Sequence, residues 1–70
     1  MKLFYDPETD SLYIDLADKT SVDSEEVAPG VVMDFDENGM AVGLDIEHAS
    51  KIIDLTKLET HALPIAGLAS

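Results

Sequence analysis

Apolar residues alternate with polar ones along most of this chain. Leu3 and Tyr5 sit two apart, and further on Leu12, Ile14 and Leu16 alternate with Tyr13 and Asp15. A period of two marks strands with one buried face, because successive strand side chains point to opposite sides. Between these runs lies Asp6-Pro7-Glu8-Thr9-Asp10. Proline presets φ and aspartate bonds nearby backbone N–H groups, so the segment predicts a turn and the pair of runs a first hairpin.

A second hairpin is more sharply written. Val31, Met33 and Phe35 share one side and Val32, Asp34 and Asp36 the other. Asp36-Glu37-Asn38-Gly39 supplies the turn, with Asn38 and Gly39 suited to positive φ. On the return, Met40, Val42, Leu44 and Ile46 form an apolar side, opposed by Ala41, Gly43, Asp45 and Glu47. Acids on that second side require it to be wet, which predicts an antiparallel sheet covered on one face. Between the hairpins, Asp18-Lys19-Thr20-Ser21 reads as a turn. Val22 to Val27 reads as a poor strand, acidic enough for a sheet edge. Ala28-Pro29-Gly30 then bends the chain.

From Ala49 to about Leu58 the period changes. Ile52, Leu55 and Leu58, with Ile53 beside them, make an amphipathic stripe that predicts a helix lying on the apolar face. Pro64 and Gly67 end any helix, and Ala62 to Ser70 is a tail of small and apolar residues. The expected architecture is α+β: a four-stranded antiparallel β-meander of two hairpins with one short C-terminal helix on one face. Residues 1–58 form the compact domain and 59–70 the tail.

Composition narrows the function classes. With 70 residues the chain has room for one small core, and 46% hydrophobic content is enough to order it. The absence of cysteine excludes disulfides, thiol catalysis and cysteine-based zinc sites. Fifteen acids against four lysines give a net charge of −11, which a nucleic-acid backbone repels, so no nucleic-acid partner is expected. Residues 1–50 carry all of that charge, and the remainder is neutral. No apolar run approaches the ~20 residues of a membrane span and no signal peptide is legible, so the expected setting is the cytoplasm.

Candidate chemistry is sparse. Asp34-x-Asp36-x-Asn38-Gly39, with Asp45 in the twelfth place, is close to a calcium loop, and the Met40 carbonyl falls where such a loop supplies one. The twelfth residue is Asp rather than a bidentate Glu, and strands replace the usual flanking helices, so an acidic hairpin turn is the ordinary reading and a weak cation site the alternative. The paired carboxylates have no enclosing cleft to turn them into an acid–base pair, and no enzymatic activity or cofactor is expected. His48 lies where the last strand meets the helix, within reach of Asp45 or Glu47, and His61 stands in the tail without metal-spaced companions. Tyr5 and Tyr13 are expected to pack across the first hairpin.

Four segments resemble a known family. Tyr5-Asp6-Pro7-Glu8-Thr9-Asp10-Ser11-Leu12-Tyr13-Ile14 fits its opening pattern Y-D-x-x-x-D-x-L-Y-I, and Glu25-Glu26-Val27-Ala28-Pro29-Gly30-Val31 fits its middle. Asp34 to Gly39 with Val42-Gly43-Leu44-Asp45-Ile46 resembles its second hairpin, and Ala49-Ser50-Lys51 its close. Residues 2 to about 52 thus resemble the small prokaryotic family catalogued as domain of unknown function 2283. The resemblance implies a mostly antiparallel β domain with a short helix and no known activity. It also suggests an antitoxin-like role, since members resemble one half of two-gene pairs whose other half looks like a ribonuclease-type toxin.

The expectation is therefore a small acidic interaction protein that binds a basic protein, with Asp34, Asp36, Glu37, Asp45 and Glu47 presenting carboxylates in place of phosphates. The apolar Leu55, Leu58, Leu63, Ile65 and Leu68 exceed what a neutral tail leaves in water, which predicts a homodimer.

Overall fold

A computed structural model describes residues 1–64 of the chain. Five strands follow in order, β1 (Lys2–Asp6), β2 (Ser11–Asp15), β3 (Asp23–Ala28), β4 (Val31–Phe35) and β5 (Ala41–Ile46), and then one helical turn, α1 (Ala49–Ile52). All neighbours pair antiparallel, in the order β1-β2-β5-β4-β3. Both expected hairpins form.

The expected four-stranded meander is corrected on two counts. The acidic stretch before Pro29 is a fifth strand, β3, paired with β4 at the sheet edge. Its backbone needs one partner only, so a run too polar for a central position is stable there. The sheet is also no simple meander, because β2 pairs with β5 rather than with β3. Leu12 faces Ile46 and Ile14 faces Leu44 across that junction. Pairing β2 with β3 would have set Asp and Glu beside those apolar side chains.

Two bulges shape the half of the sheet made by β5, β4 and β3. The β4–β5 register slips between Asp34 and Phe35, and the β3–β4 register slips between Glu26 and Ala28. An unpaired extra residue kinks and twists the strand that carries it.

The core is small. Among the described residues Leu12, Val42, Ile46 and Ala49 are the buried apolar ones, with Ile14, Val31, Leu44 and Ile53 packed around Leu12, Ile46 and Ala49. Full burial of a Leu or Ile side chain stabilises by roughly 1.5–3 kcal/mol, so this set leaves little margin.

The helix is shorter than the Ala49–Leu58 span expected of it. Ile53 is already extended (φ −129°, ψ 158°), although its N–H still donates to the Ala49 carbonyl at 2.9 Å. The Asp54 carboxylate then accepts both the N–H and the hydroxyl of Thr56. That local bond competes with helix continuation, and it also holds the Asp54 carboxyl below its ordinary pKa. Residues 53–58 therefore leave the helical path, with Ile53 still packed on the core. An open groove of about 560 Å³ lies between Leu3, Tyr5, Leu12 and Ile14 of the sheet and Ile53, Leu55 and Leu58 of this segment. Leu63 is also exposed. Ile65 and Leu68, which the homodimer expectation invoked, lie outside the described residues. No helix among the described residues is long and apolar enough to cross a membrane.

Asp10 ties the first turn to the helix. It adopts a left-handed conformation (φ 55°), which Asp tolerates better than most residues. Its carbonyl accepts the Ala49 N–H at 2.8 Å. Its carboxylate accepts the Tyr5 hydroxyl at 2.7 Å, the Ser50 hydroxyl at 2.7 Å and the Ser50 N–H at 3.1 Å. Those bonds, the Ser50 hydroxyl foremost and Tyr5 next, hold the Asp10 carboxyl below its ordinary pKa; the same Tyr5–Asp10 bond raises that of Tyr5.

Candidate functional site

Register places the side chains of the wet face in rows. One row runs Phe4, Tyr13, Asp45, Val32, Glu26 across all five strands; the next runs Lys2, Asp15, Gly43, Asp34, Ser24. Directly opposed residues of antiparallel strands share a face, so these ten belong to one surface. The other face carries Leu3, Ile14, Leu44, Met33 and Glu25, and then Tyr5, Leu12, Ile46, Val31 and Ala28. The division into an apolar and an acidic side holds, with Glu25 on the apolar face at its edge.

At the centre of the acidic face, Asp34 is engaged from both sides. Tyr13 donates its hydroxyl to Oδ2 at 3.0 Å and Ser24 donates its own to Oδ1 at 2.7 Å. Tyr13 reaches Asp34 by lying across Gly43. A Cβ at Gly43 would stand 2.7 Å from Tyr13 Cζ and 3.3 Å from Asp34 Oδ2, and would overlap the Tyr13 hydroxyl outright. Partial burial, and then the bond to Asp34, raise the Tyr13 pKa.

The residues expected to meet a partner fare differently. Glu37 and Glu47 are exposed, in the β4–β5 turn and just after β5. Asp45 is half-buried in the first row. Asp34 presents a carboxylate already holding two hydroxyls. Asp36 is withdrawn: it is 7% exposed, and its Oδ1 accepts the N–H groups of Asn38 at 2.9 Å and Met40 at 3.0 Å. It organises the turn instead of facing solvent.

The calcium-loop set of Asp34, Asp36, Asn38 and Asp45 is not gathered around a point. Asp45 faces Val32 and Asp34 faces Gly43, so the two aspartates are diagonal on the face. The Met40 carbonyl accepts the Asp36 N–H at 2.9 Å. Among the described residues, no three acidic or imidazole side chains converge as ligands.

Two further expectations change. Tyr5 and Tyr13 do not pack together; Tyr5 faces Leu12 and Tyr13 faces Phe4, on opposite sides of the sheet. His48 begins the helix in a left-handed conformation (φ 51°) without a side-chain capping bond. His61 lies 3.7 Å from Glu59 at the surface.

Sequence reasoning missed Asp15, Glu26 and Phe4 as members of this surface. Phe4 is 56% exposed there, the largest apolar group in the two rows. The alternation that put Tyr13 and Asp15 on the wet side was visible in the sequence. Which strands would stand beside them was not.

This chain belongs to the family described as protein of unknown function, DUF2283, whose model matches residues 2–50, a span that contains all five strands. No curated protein and no solved structure matches it. Tyr5 and Ser50, in the opening and closing segments of the resemblance, both donate to Asp10 and so hold the first turn against the helix.

Proposed function

We propose that this chain is a small acidic protein-interaction module that binds a basic protein through the wet face of its sheet. The reading rests on one observation above others: an exposed aromatic, Phe4, stands on the edge strand β1 of the same face that carries Asp15, Asp45 and, at the far edge, Glu26. Carboxylates speed and select an encounter with a cationic surface, while an aromatic that becomes buried on binding provides the anchor that sets affinity. Glu37 and Glu47 extend the negative field at the ends of β4 and β5. The partner's complementary surface would be one that ordinarily meets phosphates, as in a ribonuclease-type protein, which makes the role antitoxin-like.

The experiment is isothermal titration against the protein encoded by the adjacent gene, which the reading expects to be basic. Wild type binds, more weakly as salt is raised, and Asp15→Lys with Asp45→Lys lowers affinity at least about tenfold, as expected for reversing close charges at an interface. A neighbour without basic character, or affinity indifferent to both reversals, contradicts the reading.

A further inference from the structure

We propose that two copies of this chain pair antiparallel along the free edge of β1, about a two-fold axis at Phe4, so that their sheets run on into one. An open sheet has two edges, here β1 and β3. The β3 edge is guarded: Asp23, Glu25 and Glu26 fall within its six residues, and it is bulged. Pairing with a second β3 would crowd like charges, the usual device against edge association.

Among the described residues the β1 edge has no such guard. Leu3, Phe4 and Tyr5 are 47%, 56% and 45% exposed, and its charges stand only at the two ends, Lys2 and Asp6. A two-fold axis at Phe4 sets Lys2 of each copy opposite Asp6 of the other, and Leu3 opposite Tyr5. Five consecutive residues are thus complementary to themselves in reverse, as an interface between identical surfaces requires. The register is also the one that keeps faces matched. Leu3 and Tyr5 belong to the apolar face, so their pairing carries that face across the junction. A shift of one residue would set Leu3 against Phe4 and join an apolar face to an acidic one.

The charge at this edge is balanced, one Lys against one Asp, so the −11 of the whole chain is not concentrated where the copies meet.

The test is sedimentation equilibrium of the full chain up to about 100 µM, with amide hydrogen exchange measured across the same range. The expected mass is twice 7.6 kDa, with exchange at Leu3–Tyr5 slowing as concentration rises. Lys2→Asp sets Asp against Asp6 twice, and Asp6→Lys sets Lys against Lys2 twice; each alone raises the dimer Kd about tenfold or more. Mixed together, the two variants form a heterodimer in which every charge is paired, and affinity returns to within about threefold of wild type. Asp6 also accepts the Glu8 N–H at 2.9 Å, so if Asp6→Lys fails to fold, Lys2→Asp and the exchange data decide. A monomer at the top concentration overturns the proposal. So does a dimer indifferent to Lys2→Asp, protection that grows elsewhere than β1, or folded variants that do not rescue each other.

Discussion

Gly43→Ala is expected to destabilise this protein by about 2 kcal/mol, enough to lower the melting temperature of so small a domain by roughly 10 °C. Gly43 is not in the left-handed region, so its backbone alone would accept alanine, and alanine in a strand is ordinarily the more stable residue by about 0.5–1 kcal/mol. The opposite sign follows from what lies above it. The new methyl group would displace the Tyr13 ring and break its 3.0 Å bond to Asp34, leaving a carboxylate at the centre of the sheet with the Ser24 hydroxyl alone. A double-mutant cycle isolates the cause. In a Tyr13→Ala background the obstruction is gone, and Gly43→Ala is expected to be neutral or stabilising there. Equal costs in both backgrounds, measured by thermal or denaturant unfolding, would mean that Gly43 is needed for another reason.

Loss of the Asp10 carboxylate is expected to have the next largest effect, because one side chain joins β1, the first turn and the helix start through Tyr5 and Ser50. Asp10→Ala forfeits these bonds and places an ordinary residue at φ 55°, and the melting temperature should fall by at least about 5 °C. Asp10→Asn separates charge from conformation, since Asn also tolerates left-handed backbone. The folded chain holds the Asp10 carboxyl ionised to lower pH than the unfolded chain does. Its contribution is therefore complete above about pH 4 and drains away as pH falls through the lowered folded-state value. The stability gap between wild type and Asp10→Asn should accordingly be widest near neutrality and close in acid. A gap constant from pH 7 to about pH 2 would assign the loss to something other than the ionised carboxylate.

The two hairpins were legible because each rests on local signals: alternation, a Pro-containing turn in one, Asn38-Gly39 in the other. The polar edge strand was legible for a related reason, since acids beside Pro29 and Gly30 suit a sheet boundary and little else. What could not be read was non-local. The β2–β5 junction joins residues some thirty positions apart, and only their apolar match selects it over a β2–β3 pairing. That junction also decides who stands beside whom on the wet face, so the Tyr13–Asp34 bond across Gly43 was invisible while both residues were in plain view. The helix was overestimated because its apolar spacing was sound while Asp54 and Thr56, bonding each other, ended it early. Asp36 was misjudged in the same way. An aspartate in an acidic turn reads as solvated charge, yet its carboxylate satisfies two backbone N–H groups of the turn itself.

A functional corollary concerns the resemblance. Tyr5 and Asp10 fall in its opening pattern and Ser50 in its close, and in this chain they are spent on the fold. The surface proposed to meet a partner lies on the opposite face and includes Phe4, Asp15, Glu26 and Asp45.

Chemical-shift mapping on isotope-labelled chain titrated with the proposed basic partner tests most directly whether that face does the meeting. The largest changes should fall on Phe4, Asp15, Asp45 and Glu26, with Leu12, Leu44 and Ile46 beneath them little moved. Changes centred instead on Leu3, Ile14 and Leu55 around the apolar groove, or no change at all at saturating partner, would contradict it.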